Sequence, residues 1–131
     1  MQGSTMLAVE APAPGVRVMR LGGVLDAAVG PRLAALAQVQ MSRAADEEPD
    51  GPAHLLLDLA GVRSVGPGGV EALTAVRDAA PQGVHVHVTG ASWRQLPDLR
   101  HRLSCYPTLE CALHDLAARP GAPPPGAPLV G

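Results

Sequence analysis

His85 and His87 stand two apart in VHVHV (Val84–Val88), so both imidazoles project from one side of a strand, and His54 lies in the preceding apolar run HLLLDL. Metal sites use such a spacing, with His54 as a third ligand. No Asp, Glu or Cys lies nearby in sequence to complete the set, and the simpler reading is polar positions on a partly covered sheet face. Cys105 and Cys111, six residues apart across a turn at Pro107, read either as a redox pair or as small buried hydrophobes. They form no C-x-x-C pair and no disulfide framework. Asp26 and Asp58 each close an apolar run near the end of a strand, where open α/β sheets bind ligands; Asp26 also reads as a helix cap and Asp58 as a turn residue. Arg94, Arg100, His101 and Arg102 make a basic stripe on an anticipated helix. It is offset by Asp98 and has no interleaved aromatics, so it reads as a solvated face.

The most informative stretch is Ser64-Val65-Gly66-Pro67-Gly68-Gly69. It follows HLLLDL after a short turn (Ala60 to Arg63) and opens directly onto a helical pattern. Backbone N–H groups and the positive end of a helix dipole would face an anion or a phosphorylated side chain there. A plain glycine turn without ligand is the alternative. No nucleophile elbow, P-loop or dinucleotide fingerprint occurs, so no cofactor is expected.

These residues need elements to position them. Met6 to Ala11 and the alternating Gly15 to Leu21 read as two strands, the second half-buried. Asp26 caps a helix carrying Val29, Leu33, Leu36, Ala37 and Gln40, with Pro31 in its first turn. AADEEPDGP (Ala44 to Pro52) reads as an exposed acidic loop. His54 to Leu59 is a continuous apolar run, the mark of a strand buried on both faces. Gly68 to Ala80 reads as a helix stopped by Pro81, and Val84 to Val88 as a strand with its valines inward and His85 and His87 outward. Trp93, Leu96, Leu99 and Leu103 suggest a further helix, and Thr108 caps a last one over Thr108 to Ala118. Helix-linked strands must run parallel, whereas the opening pair can form a hairpin, so the class is α/β with a mixed sheet.

Composition bounds the reading. The chain has 131 residues, the size of one domain, and its net charge of -2 brings no bulk attraction to nucleic acid or anionic membranes. Lys, Ile, Asn and Phe are absent and all ten basic residues are Arg, a GC-rich coding bias that leaves Leu, Val and Ala to build the core. Gly 15 and Pro 14 approach the range where disorder competes with folding, but 8 of the last 13 residues are Pro or Gly, which concentrates that tendency in a tail. The expectation is a domain over residues 1–118 and a disordered tail over 119–131. No apolar run reaches the roughly 20 residues of a membrane span, and the first residues lack a secretory pattern, so the cytoplasm is expected.

In order and spacing, LGGVLDAAVGPRLAALAQ, HLLLDLAGVRSVGPGGVEALTAV, GVHVHVTGAS and TLECALHDL resemble a STAS domain, found in bacterial anti-sigma factor antagonists and in sulfate transporters. The likeness covers residues from about 6 to 118 and rests on Gly23-Val24-Leu25-Asp26, on the D-L-x-x-V pattern from Asp58 to Val62, and on the glycine-opened helix. It implies a mixed sheet of four to five strands with helices chiefly on one face. It further implies a non-catalytic interaction module whose partner is an anti-sigma factor resembling a serine kinase. Phosphorylation-switch members carry D-S-S/T-G where this chain has Gly66, Pro67, Gly68 and Gly69, so Pro67 stands at the phosphoserine position and the switch is lost. Ser64 is the nearest hydroxyl. Asp26, Ser64, Gly66, Pro67, Gly68 and Gly69 are the expected contact rim. A nucleotide- or anion-binding STAS domain, or a scaffold in a larger signalling assembly, is the alternative. Truncation before Arg119 is expected to leave the thermal unfolding midpoint, followed by circular dichroism, unchanged; a large drop would mean that the tail docks on the domain.

Overall fold

An alternating apolar segment needs a partner strand to satisfy its backbone, and the nearest one here is its own neighbour. In the computed structural model, which describes residues 5–90 and 103–118, β1 (Thr5–Ala13) and β2 (Val16–Leu25) pair antiparallel across a tight turn. The sheet continues through β3 (Ala53–Val65), β4 (Val84–Thr89) and the short β5 (Ser104–Tyr106), all parallel to β2, in the order β1-β2-β3-β4-β5. Helices α1 (Gly30–Glu47) and α2 (Gly69–Asp78) link β2 to β3 and β3 to β4, and α3 (Leu109–Ala118) follows β5. The fold is thus α/β with a mixed sheet, as the element pattern predicts, here of five strands.

Both faces of the sheet are covered, which explains the unbroken HLLLDL run. Leu55 and Leu57 point into the main core with Met19, Leu33, Met41 and Leu73, beneath α1 and α2. Leu56 points the other way, into a smaller cluster with Val18, Ala112 and Leu116 under α3. Two of the three described helices therefore lie on one face, and α3 covers part of the other. For the same reason β2 is not half-buried, since Val18 and Met19 are both inaccessible.

Three sequence expectations change. The acidic stretch from Ala44 is not all loop: α1 runs to Glu47 because Ala44 extends the buried stripe of Leu33, Ala37 and Met41, and packing overrides the turn-forming tendency of the acids. The turn expected over residues 60–63 is strand. β2 also runs on through Gly22 to Leu25 and supplies a hydrogen-bonding partner as far as Val65, accommodated by two register shifts. A fifth strand, Ser104–Tyr106, stands at the edge, with Leu103 buried just before it. The rest of the expected helix around Trp93, Leu96 and Leu99, the basic stripe from Arg94 to Arg102, and the tail from Arg119 lie outside the described residues.

The end of α1 is tied to the β1–β2 turn by Glu47, whose carboxylate accepts the Gly15 N–H at 3.0 Å and pairs with Arg17. The Gly15 bond foremost, then Arg17, holds the Glu47 pKa below its ordinary value. A depressed carboxylate contributes stability above its unfolded pKa and loses it as pH falls through the folded one. Urea midpoints of wild type and Glu47→Gln are thus expected to differ at neutral pH, with the wild type higher, and to converge below about pH 4.

Candidate protein-interaction site

β2 and β3 end side by side, with Leu25 opposite Val65, so the residues following each strand meet at one end of the sheet. Asp26 leaves β2 and caps the turn Ala27–Val29, accepting the Ala28 N–H on Oδ1 at 3.0 Å. Gly66 leaves β3 and donates its N–H to the Leu25 carbonyl at 2.8 Å, and the Pro67 carbonyl accepts the Ala27 N–H at 2.9 Å. Asp26, Gly66, Pro67 and Gly68 are thereby brought together by backbone contacts rather than side-chain ones. Pro67 is exposed at the tip, while Asp26 and Gly66 are half-buried beside it.

Two glycines here have a steric reason. Gly68 is the N-cap of α2 at φ +82°, where a Cβ would lie 2.5 Å from the Ala27 Cβ. At Gly69 a Cβ would lie 2.6 Å from the Leu25 carbonyl oxygen and 2.7 Å from Val65 Cγ1. The close approach of α2 to the β2 end demands both.

This helix start is poorly furnished for an anion. The Gly66 N–H is taken by Leu25, the Gly69 N–H by the Gly66 carbonyl at 3.1 Å, and Glu71 puts a carboxylate in the first turn. Nor is there a hydroxyl in the loop. Ser64, expected within it, is instead an exposed residue of β3 opposite Val24, because the strand runs on to Val65.

The other sequence candidates are elsewhere. Asp58 is no turn residue: it is buried in the middle of β3, accepting the Thr89 hydroxyl at 2.9 Å and the Ala60 N–H at 3.3 Å on Oδ1, and pairing with Arg20 at 3.4 Å through Oδ2. It lines a groove of about 410 Å³ with Arg20, Glu10 and Glu110. Of the three histidines on the strands, His85 alone is exposed. His87 is 3% exposed and bonded to His54, because β5 and α3 cover that side. Among the described residues no group of three His, Cys, Asp or Glu side chains has metal-binding geometry. Cys111 is exposed, not buried; Cys105 on β5 is half-buried, which pushes its thiol pKa up, and both are free. The partners Thr89 and Ser104 escaped notice in the sequence, since only the register of β4 against β3 and β5 places them beside Asp58 and His87.

This architecture is found in known proteins. At a TM-score of 0.66 and 26% identity, the chain is similar to an anti-sigma factor antagonist from Mycobacterium paratuberculosis, covering 86% of this chain and 93% of that one. SpoIIAA, an anti-sigma factor antagonist solved in its unphosphorylated form, matches at 0.63 and 13% identity over 87% of this chain and all of that one. A third match, at 0.53 and 17% identity, covers 82% of this chain but only 18% of the murine anion transporter Slc26a9. No protein-family model and no curated protein matches. The chain has the STAS fold, and two proteins it is similar to along nearly their whole length are anti-sigma factor antagonists. None of the described helices is long and apolar enough to cross a membrane.

Gly69→Ala tests whether the loop is sterically determined. Overpacking against Leu25 and Val65 is expected to cost about 1–3 kcal/mol in urea denaturation, whereas an unchanged midpoint would show that α2 can shift away.

Proposed function

We propose that this chain is a non-catalytic interaction module of the anti-sigma factor antagonist kind. In this reading it regulates an anti-sigma factor or serine-kinase-like partner in the bacterial cytoplasm. Its contact rim is Asp26 with Ser64 and Gly66 to Gly69. Support comes from the likeness in fold to two such antagonists, over nearly the whole of each.

The observation that carries the finer reading is the exposed Pro67 at the tip of the rim, where the resemblance sets a phosphoserine. A phosphate would add roughly −1.5 to −2 charges and so change partner affinity. Proline has no side-chain oxygen to accept one, and before the N-cap Gly68 it lies outside α2, where its missing N–H removes no helical hydrogen bond. The rim thus keeps its shape without its switch, and the module holds one binding state. A nucleotide or anion finds less support, with the Gly66 and Gly69 amides already engaged and Glu71 nearby.

The test pairs binding with modification. An anti-sigma factor kinase from the same source is expected to bind the chain and, with ATP, to leave its intact mass unchanged. Pro67→Arg should weaken that binding about tenfold or more. Stoichiometric phosphate on Ser64 or any rim residue would overturn the constitutive reading.

A further inference from the structure

Three histidines gather on the sheet face that α3 covers, away from the proposed rim. His54 Nδ1 lies 3.1 Å from His87 Nε2, and His87 Nδ1 lies 2.8 Å from Ser104 Oγ. Both rings are buried, at 7% and 3% exposure. Tyr106 packs on His87 with ring centroids 5.8 Å apart and donates its hydroxyl to Asp115 of α3. Hydrogen bonds therefore run from β3 through β4 to β5, and the ring contact of His87 with Tyr106 carries the connection on to α3. β5 needs it, for its own pairing with β4 spans only Ser104 to Tyr106.

Counting protons limits what this chain tolerates. Two ring nitrogens in contact share one proton, one ring donating and the other accepting. With both rings neutral, His87 Nε2–H donates to His54 Nδ1 and the Ser104 hydroxyl donates to His87 Nδ1. One added proton breaks nothing: His87 then carries both N–H groups and donates to His54 and to Ser104 Oγ alike. A second makes both rings imidazolium, so two N–H groups and two like charges oppose each other across 3.1 Å in a buried site. That contact cannot persist.

The surroundings favour the first charge and do not rescue the second. Among the described residues, His85 on β4 stacks beside His54, its ring centroid 5.5 Å away. Tyr106 and Cys105 stand on β5, with Asp115 of α3 bonded to Tyr106. Glu48, just after α1, lines a groove with His54, and Arg77 of α2 lines another with His85, His87 and Ser104. The two carboxylates stabilise a cation, whereas Arg77 and a protonated His85 oppose one.

We propose that His54, His87 and Ser104 form an acid-sensitive latch, which accepts one proton with the β5–α3 unit docked and releases that unit on taking the second. Two undocked histidines take up two protons as pH falls through about 6.5, whereas the docked pair holds one. The docked state therefore loses stability on acidification. Release uncovers Val18 and Leu56, which Ala112 and Leu116 otherwise bury.

Hydrogen exchange of the α3 amides, corrected for intrinsic rates, tests the latch in the full chain. Protection is expected to fall about tenfold or more between pH 7.5 and 5 in wild type and in His85→Gln. It should fall distinctly less in His54→Phe, where one ring remains to charge. Should that variant not fold, nitrogen NMR of the wild-type rings decides: the pair takes one proton with α3 protected and the second only as protection is lost. Full charging of both rings with α3 still protected would overturn the latch. So would a loss of protection only below about pH 4.5, in the ordinary carboxylate range.

Discussion

The parallel pairing of β2 with β3, carried past the apolar run to Leu25 and Val65, is the contact on which the other features depend. It buries HLLLDL from both sides, brings the two strand ends together, and delivers Asp26 and Gly66 to one spot. Had β3 stopped at Leu59, the α2 start would stand several residues from the β2 end. The Gly69 backbone could then not meet Leu25 at a distance that no side chain permits. Shape at the rim is thus a consequence of strand length, with main-chain bonds between Ala27 and Pro67 and between Gly66 and Leu25 closing it.

A rim built from backbone can lose a side chain without losing its form. Gly68 and Gly69 are required by the neighbouring chain, whereas position 67 is exposed and asks only for a conformation that proline supplies. The helix start and the residue at its tip are separable, one answering to packing and the other to chemistry. This separability is why a fold shared with anti-sigma factor antagonists does not by itself carry their modification chemistry.

The far side of the sheet follows different rules. There the hydrophobic cluster is small, with Val18, Leu56, Ala112 and Leu116 buried, and polar contacts do much of the joining between β3, β4, β5 and α3. Among the described residues, the main core under α1 and α2 holds no buried histidine pair of this kind. The acid sensitivity proposed for the α3 side is thus separate from that of Glu47 at the end of α1, and the rim need not share either.

Much of this was legible in the sequence. Alternation located β2 and β4, the unbroken leucine run identified a strand covered on both faces, Thr108 marked a helix start that it does cap, and Asp26 caps the single turn that leads into α1. These are local signals, because period and capping are set by neighbours along the chain. What the local signals could not supply was extent and register. Ala44 to Glu47 look like loop and are helix, and Ala60 to Arg63 look like turn and are strand, since in each case a distant partner outweighs propensity. Ser64 left the loop for that reason. His87 was read as outward because period alone cannot tell which face a helix far down the chain will cover. The sequence by itself determined which residues stand at the tip, Pro67 above all, and hence which chemistry is absent there. Only the tertiary structure decided that His54, His87 and Ser104 share protons and that Asp58 is a buried acceptor, because such contacts arise from the register of strands distant in sequence.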